Sequence, residues 1–236
     1  MQFQNIKFKR VFSLSESLKK TIKTKNPIIL DIGGNVGQSV RLYKKLMPNC
    51  TIHSVEPDPE SFRLNQIKSK KFKKVKHYNF ALSNVNGMRN FYVNKENNRT
   101  GSSLINFNKS SISKKFNFHP KEKLFKNDII KKIVEVKKSN DFFSKFKRID
   151  FCKIDTGGSE LKILENISKK NLNKIKTIQV ELLLDDVYKY NSQKNFSKII
   201  QILLRNNFKI HDIVNIYKNL KFQRTLWIDI IFVKKY

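Results

Sequence analysis

Acidic residues, alanine and arginine are scarce in this chain of 236 residues. The 19 Asp and Glu residues are outnumbered by 49 Lys and Arg residues, so the formal net charge is +30. Such a charge favours nucleic acid or another polyanion as a partner. However, the chain has 41 Lys and 26 Asn against eight Arg and one Ala, as AT-rich codons would give. Because arginine is the better phosphate clamp and the lysines are spread along the whole chain, codon bias explains the charge more simply.

Paired cysteines and long apolar runs are absent from the sequence as well. Cys50 and Cys152 match neither a C-x-x-C motif nor a zinc-ligand spacing, which indicates a reducing compartment. No apolar run approaches the roughly 20 residues of a membrane-spanning helix, and the basic N-terminus lacks the apolar core of a signal peptide. The sequence therefore predicts a soluble, cytoplasmic protein without a transmembrane segment, and it leaves the oligomeric state open.

The chain is long enough for one large domain, with 39% apolar residues to fill its core. Residues 1–26 are predicted as an N-terminal helical extension, whose helix over 11–23 begins with a capping box from Ser13 to Glu16. Packing of this helix on the domain is favoured over a membrane-surface role. Residues 27–236 are predicted as a single domain. Within it, the polar segment 106–132 has no clear period, which predicts a lid or a flexible insertion.

Strand and helix patterns alternate along this domain. Strands are predicted at 27–31, 51–55, 76–82, 89–93, 133–136, 149–155, 177–183, 209–216 and 227–233. Helices are predicted at 39–47, 61–69, 159–167 and 196–206. The first strand, helix and second strand follow within about 30 residues, as in a parallel right-handed unit. The pattern predicts a doubly wound, mostly parallel α/β sheet that ends in an antiparallel hairpin.

Glycine is rare too, yet three of the seven glycines lie within "ILDIGGNVGQ", Ile29–Gln38. A glycine turn between the first strand and its helix is where doubly wound proteins receive a nucleotide. Neither dinucleotide nor P-loop spacing is present, and Asp31 would repel a pyrophosphate at this turn. S-adenosylmethionine carries no phosphate, and Asp31 can attract its ammonium group. Glu56, which ends the second strand, can accept hydrogen bonds from both hydroxyls of its ribose.

Six segments extend this pattern: "LDIGGNVGQSV", "VEPDPESFRLNQ", "NFALSNVNGMRNFYV", "TGSSL", "VEVKKSNDFF" and "FCKIDTGGSELKILENI". In this order they resemble the FkbM-like family of S-adenosylmethionine-dependent methyltransferases, over residues 27–184. The resemblance implies the class I, Rossmann-like fold with its seven-stranded sheet, S-adenosyl-L-methionine as cofactor, and O-methylation of a hydroxyl on a sugar or other small metabolite. The cofactor-binding residues are then expected to be Asp31, Gly33, Gly34, Asn35, Gly37, Glu56, Pro57, Ala81, Leu82 and Ser83.

One motif departs from the family. Where members read D-V-E-G-x-E after the fourth strand, this chain has Gly157 in place of the first glutamate. The change implies either an altered acceptor or a domain that binds without catalysing. Candidates for the catalytic base are Asp155, Glu181 and Glu160. Glu160 equally suits a structural role in the first turn of its helix, and the three carboxylates are an alternative divalent-cation site, although no metal is assigned.

Two alternatives to a small-molecule methyltransferase remain open. One is a non-catalytic RNA- or polyanion-binding domain on a methyltransferase scaffold, suggested by the charge and by Gly157. The other is a ribose O-methyltransferase acting on nucleic acid. Methylation of a nucleic-acid base is disfavoured because no D-P-P-Y or N-P-P-Y loop follows the fourth strand. The favoured acceptor is a small molecule, with carbohydrate first among the candidates.

Overall fold

Ten strands in two sheets are found in the computed structural model, which describes residues 13–95, 99–106, 129–185, 191–219 and 223–235. The strands are β1 (Ile28–Ile32), β2 (Thr51–Val55), β3 (Val75–Tyr78), β4 (Ala81–Ser83), β5 (Gly87–Asn94), β6 (Ile129–Lys138), β7 (Ile149–Ile154), β8 (Ile175–Leu183), β9 (Phe208–Asn219) and β10 (Arg224–Lys234). The helices are α1 (Leu14–Thr21), α2 (Gln38–Leu46), α3 (Pro59–Ser69), α4 (Ser139–Ser144), α5 (Glu160–Asn166), α6 (Lys169–Leu172) and α7 (Ser192–Arg205).

The larger sheet has the strand order β3-β2-β1-β7-β8-β10-β9. Its first five strands are parallel, and β10 runs antiparallel to both β8 and β9. This arrangement confirms the predicted doubly wound, seven-stranded fold with a terminal antiparallel hairpin. The strand order reverses between β1 and β7, so the carboxyl ends of these strands border a crevice of the kind where such sheets bind ligands.

Apolar packing fixes the helix that follows β1. Val40 and Tyr43 lie three residues apart on one face of α2, and both are buried. The Tyr43 ring meets the Phe151 ring of β7 edge-on, with 5.4 Å between their centroids. Because α2 is held against the sheet, the glycine turn that precedes it has a defined position at the crevice.

Helix α1 begins with the predicted capping box, in which Ser13 and Glu16 each accept a backbone N–H of the other. Its Leu18 is fully buried in the apolar cluster under β1, and the Ser17 hydroxyl donates to Asp212 of β9. These contacts confirm the predicted packing of the helix on the domain. Residues 11 and 12, also predicted in this helix, lie outside the described residues. Within the described ranges, no helix combines the length and apolarity that crossing a bilayer requires.

The predicted strand over 76–82 is wrong as a single strand. It breaks at Asn79, whose side-chain amide donates to the carbonyl oxygens of Glu56 and Pro57. After this break, β4 leaves the large sheet and pairs with β6 in a second sheet of order β4-β6-β5. The side-chain bonds of Asn79 thus redirect the chain toward the crevice.

The boundaries of the predicted insertion also need correction. Residues 129–132 belong to β6. The whole of β5 pairs antiparallel with residues 129–136 of this strand. Residues 107–128 lie outside the described residues, so the lid stays a prediction. Helices α4 and α6 were not predicted, because both are too short to show a clear apolar period.

Candidate functional site

A cavity of about 580 Å³ opens at the carboxyl ends of β1, β2, β7 and β8, a size typical of small-molecule sites. Its lining comes from within 32–39, 55–57, 80–91, 99–104, 153–159, 181–183 and 217–229. Nine of the thirteen predicted site residues line it: Gly33, Gly34, Asn35, Glu56, Pro57, Ala81, Leu82, Asp155 and Glu181. The other four, Asp31, Gly37, Ser83 and Glu160, do not. The structure therefore brings most of both predicted groups together.

The glycine turn is shaped by the strands on either side of it. The backbone N–H groups of Gly33 and Gly34 both donate to the carbonyl oxygen of Val55, each at a distance of 3.0 Å. Gly33 has a φ of +85°, and a Cβ atom there would lie 1.8 Å from the carbonyl oxygen of Asp155. Glycine is thus required because protein backbone approaches this closely. The turn joins the ends of β1, β2 and β7 in one rigid unit.

Asp31 supplies a buried carboxylate directly behind this turn. Its Oδ2 atom accepts from the hydroxyls of Ser39 at 2.7 Å and Ser54 at 3.1 Å. Its Oδ1 atom has no hydrogen-bond partner among the described residues, and neither does the buried Oδ1 atom of Asn35. Buried oxygen atoms of this kind are costly unless a donor reaches them. Asn35 lines the cavity, so a ligand donor can reach its side chain, whereas Asp31 lies behind the lining with the Lys153 ammonium 3.9 Å from its Oδ1 atom.

Glu56 lies at the end of β2 and is held by two backbone donors. The backbone N–H groups of Asn35 and Asp58 each donate to one of its two carboxylate oxygens, both at a distance of 2.8 Å. Burial raises the pKa of Glu56 to about 7, although both hydrogen bonds oppose this shift. Each oxygen keeps a second lone pair for a ligand hydroxyl, as the predicted ribose contact requires.

A segment over 99–104, named here the strap, contributes to the cavity lining. Arg99 anchors it through ion pairs with Asp58 at 2.6 Å and Glu60 at 2.9 Å. At its far end, the Ser103 hydroxyl donates to the carbonyl oxygen of Gly157 at a distance of 2.6 Å. The strap thus connects α3, next to the predicted ribose site, with the loop after β7. Phe80, Ala81 and Leu82 line the apolar wall of the cavity, where adenine is expected.

Three carboxylates line the opposite end of the cavity: Asp155, Glu181 and Asp229. Asp155 forms an ion pair with Lys153 at 2.9 Å, and Lys153 also lies 3.9 Å from Asp31. Burial opposes the charge of Lys153, but Asp155 and Asp31 outweigh it and raise the pKa of the ammonium group. One lysine therefore links the carboxylates of the two ends.

Glu181 and Asp229 lie directly opposite each other in the β8–β10 ladder. Burial, Asp155 and Asp229 raise the pKa of Glu181 well above its ordinary range. Burial and Asp155 raise the pKa of Asp229 to about 6. The side-chain amide of Asn215 donates to Asp229 at a distance of 2.5 Å, and this hydrogen bond opposes the shift. A raised pKa makes the deprotonated carboxylate a stronger base, although it also favours the protonated form.

Two aromatic residues complete this end of the cavity. Trp227 of β10 stacks on Tyr217 of β9, with 4.8 Å between the ring centroids and 25° between the planes. Sequence reasoning missed both residues and Asp229. The available signal was an acid within the otherwise apolar run of β10, "WIDIIFV". An acid at such a position needs a functional or structural reason.

Glu160 lies next to the cavity but points into the loop after β7. Its Oε1 atom accepts from the backbone N–H of Thr156 at 2.7 Å and from the Thr156 hydroxyl at 2.8 Å. Burial raises the pKa of Glu160 to about 7. Across the described ranges, no group of three or more His, Cys, Asp or Glu residues is arranged to hold a metal ion.

Comparisons with known proteins agree with this geometry. The model of the FkbM methyltransferase domain matches residues 31–210. "Methyltransferase 1" of Beauveria bassiana is 27% identical over an alignment of 173 residues. The match covers 65% of this chain and 64% of the relative, so the chain spans less than two thirds of that relative's length.

One similar solved structure supports the assignment of the fold. An rRNA methylase from Streptococcus thermophilus has a TM-score of 0.51 at 8% identity, with 94% of each chain covered. Precorrin-6y C5,15-methyltransferase from Geobacter metallireducens has a TM-score of 0.48 at 14% identity, with 94% of this chain and 86% of the other covered. Together with the match of the family model, the fold leads to one conclusion. The chain belongs to the FkbM family of S-adenosylmethionine-dependent methyltransferases, and S-adenosylmethionine is its cofactor.

Proposed function

We propose that this methyltransferase acts on a hydroxyl group of a small-molecule acceptor, with carbohydrate as the first class to test. The observation that carries the proposal is the set of carboxylates Asp155, Glu181 and Asp229 around the end of the cavity away from the glycine turn. A hydroxyl must lose its proton as its oxygen is methylated, and a carboxylate at this end of the cavity is suited to accept it.

The cofactor end of the proposed site is held by Asp31, Asn35 and Glu56. When bound, S-adenosylmethionine supplies an electrophilic methyl group on a positively charged sulfur. Asn35 offers its buried Oδ1 atom to its ammonium group, the Asp31 carboxylate attracts that group from behind the glycine turn, and Glu56 accepts from its ribose hydroxyls. The apolar wall around Ala81 and Leu82 excludes water from its adenine ring.

At the acceptor end, Asp155 is the proposed base. Lys153 fixes its carboxylate through the 2.9 Å ion pair, so the group is oriented before the acceptor binds. The proton of the acceptor hydroxyl moves to a carboxylate oxygen of Asp155. Glu181 lies beside this group and can take over the role once it has lost its own proton, because its raised pKa makes its deprotonated form the stronger base. The replacement of a family glutamate by Gly157 therefore leaves the cavity with carboxylates that can accept the proton.

The charge of the cavity favours a small molecule over nucleic acid. Three carboxylates at the acceptor end repel phosphate groups, whereas nucleic-acid sites are lined by cations. One structural neighbour is described as an rRNA methylase, so ribose O-methylation remains the second candidate. A non-catalytic polyanion-binding domain is the third, because the overall charge of +30 would favour it.

We further propose that the protein works in a reducing compartment such as the cytoplasm. Support comes from Cys50 and Cys152, which are both buried and unpaired. Burial raises the pKa of each thiol, which lowers its reactivity toward oxidants. The location of a tagged protein in cell fractions would test this part of the proposal.

Calorimetric titration with S-adenosylmethionine and S-adenosylhomocysteine tests the cofactor site first. We expect micromolar binding by the wild-type protein and its loss in the Asp31→Ala, Glu56→Ala double variant. Glu165→Ala is the matched control, because Glu165 lies on α5 in an exposed ion pair with Lys198. Methyl transfer to sugars, polyols and short RNAs is then followed by mass spectrometry. A folded wild-type protein that binds neither ligand would contradict the proposal, and exclusive transfer to RNA would favour the second candidate.

A further inference from the structure

The acceptor end of the cavity has more negative than positive groups. Among the described residues that line the whole cavity, the cations are Lys153 and Arg99. Arg99 is committed to Asp58 and Glu60 on the strap side. Lys153 is shared between Asp155 and Asp31. In a chain with a net charge of +30, this end of the cavity therefore has an excess of carboxylates.

The carboxylates of Glu181 and Asp229 account for this excess. They are register partners on neighbouring strands, so their side chains lie on the same face of the sheet. Asp229 accepts a hydrogen bond from the neutral amide of Asn215. Among the described residues, none donates a hydrogen bond to the Glu181 carboxylate or forms an ion pair with it. Two neighbouring carboxylates without a cation of their own are unfavourable in a partly buried site.

Two independent features at the same end point to a ligand. Ser159 is among the residues that line the cavity, is 1% exposed, and has a buried hydroxyl oxygen without a hydrogen-bond partner among the described residues. The stacked rings of Trp227 and Tyr217 line the cavity as well. Aromatic faces attract cations and pack on the apolar face of a sugar ring. A ligand that satisfies all of these groups needs a cation, a hydrogen-bonding group and an apolar face.

We propose that the acceptor carries an ammonium group beside its hydroxyl, and that Glu181 and Asp229 bind this ammonium against the Trp227 ring. Amino sugars and cyclic amino alcohols are the matching chemical class. This inference rests on the proposed function, because it assigns the charge of the acceptor for the same site. It also gives the carboxylates separate roles: Asp155, paired with Lys153, accepts the hydroxyl proton, whereas Glu181 and Asp229 select the acceptor.

The sulfonium of the cofactor is a competing partner for these carboxylates. The two possibilities differ in what Glu181→Gln and Asp229→Asn change. Loss of a sulfonium contact weakens S-adenosylmethionine binding and leaves the uncharged S-adenosylhomocysteine sulfur unaffected. Loss of an ammonium contact leaves the ratio of the two cofactor affinities unchanged and removes the preference for cationic acceptors.

The test uses matched pairs of probes with the full-length protein saturated with S-adenosylhomocysteine. Glucosamine is compared with glucose, and trans-2-aminocyclohexanol with trans-cyclohexane-1,2-diol, by calorimetry at neutral pH. We expect each amine to bind at least about tenfold more tightly than its neutral partner, as a charge-assisted hydrogen bond would provide. Glu181→Gln and Asp229→Asn should remove this preference, and the control Glu165→Ala should retain it.

Three outcomes overturn the inference: equal affinity within both pairs, no binding of either amine, or variants that change only the ratio of the cofactor affinities. The wild-type comparison alone decides the matter if a variant fails to fold. Equal methyl transfer to amines and neutral polyols would reject this inference while the proposed function stands. No methyl transfer to any hydroxyl compound, with intact amine preference, would reject the proposed function instead.

Discussion

The two ends of the cavity treat their carboxylates differently. At the cofactor end, Glu56 receives two backbone N–H groups and Asp31 receives two hydroxyls. At the acceptor end, Asp229 receives a single amide, and no described residue donates to Glu181. The cofactor end is therefore preorganised by the fold, whereas the acceptor end leaves carboxylate oxygens for a ligand. Such a division suits a site in which one ligand is constant and the other gives specificity.

The largest expected effect separates catalysis from cofactor binding at the two ends. Asp155→Asn removes the proposed base and should lower kcat by about 10²–10⁴-fold, while the affinity for S-adenosylhomocysteine stays nearly unchanged. Asp31→Asn should weaken the affinity for S-adenosylhomocysteine by about tenfold or more and change kcat less than Asp155→Asn does. Steady-state kinetics and calorimetry measure both quantities. Similar losses of affinity in both variants would mean that the two ends do not act separately.

The next effect concerns the turn that joins the two ends. Gly33→Ala places a Cβ atom 1.8 Å from the carbonyl oxygen of Asp155, at a φ of +85°. Gly87→Ala is the matched control, because it also has a positive φ, but its nearest atom is 3.5 Å away on the flexible Arg89 side chain. We expect Gly33→Ala to lower the free energy of unfolding by about 1–3 kcal/mol more than the control. Urea denaturation gives both values, and equal losses would show that backbone strain alone matters.

A smaller effect uses the raised pKa values of Glu56 and Glu160. Both are about 7 in the folded protein and lower in the unfolded chain, where a glutamate titrates near 4.3. Their contribution to stability is therefore complete below about pH 4 and is lost as the pH rises through 7. Glu160→Gln keeps an oxygen for Thr156 and removes the charge, so it should raise the free energy of unfolding at pH 8 by about 1–3 kcal/mol.

Glu56→Gln is the matched comparison for this pH effect. Both oxygens of Glu56 accept a backbone N–H. The side-chain NH₂ group of a glutamine would therefore face the N–H of either Asn35 or Asp58, and two donors cannot bond to each other. This variant should gain less at pH 8 than Glu160→Gln and lose stability at pH 5. Urea denaturation at the two pH values measures the difference. If both variants gain equally at pH 8, the two backbone donors do not hold Glu56 as described.

The last expected effect, of similar size, is at the strap. Arg99→Ala leaves the buried Asp58 with Lys132 as its remaining cation, at 3.0 Å. The expected loss is about 1–3 kcal/mol of unfolding free energy, with a weaker affinity for S-adenosylhomocysteine. Lys198→Ala, in an exposed pair with Glu165, should cost less than about 0.5 kcal/mol. Thermal unfolding with and without the ligand separates the two effects, and an unchanged affinity would remove the strap from the cofactor site.

Sequence patterns predicted more residues for the cofactor end than for the acceptor end, for a physical reason. The unit β1–α2–β2 is local: an apolar strand, a glycine turn and an amphipathic helix follow one another, so Asp31 and Glu56 could be assigned from neighbouring residues. The capping box at Ser13 was equally local. The positions of Glu181 and Asp229 depend on the register between strands more than 40 residues apart. No local pattern encodes that register.

The second sheet escaped prediction for a related reason. Val75–Tyr78 and Ala81–Ser83 lie in one stretch with the pattern of a strand, and the hydrogen bonds of Asn79 to the residues after β2 divide it. Gly157 shows the same limit. The motif revealed that a carboxylate had been replaced, but only the fold shows that Asp229 lines the same cavity from another strand.

The position of β10 inside the large sheet has a consequence for synthesis on the ribosome. This strand lies between β8 and β9, although it follows both of them in the chain. It carries Trp227 and Asp229, and the other cavity-lining segments are all translated before it. A nascent chain can therefore form the glycine turn and its neighbouring strands before the last described cavity-lining residues are synthesised. Trp227 and Asp229 reach the cavity only when β10 pairs with β8 and β9.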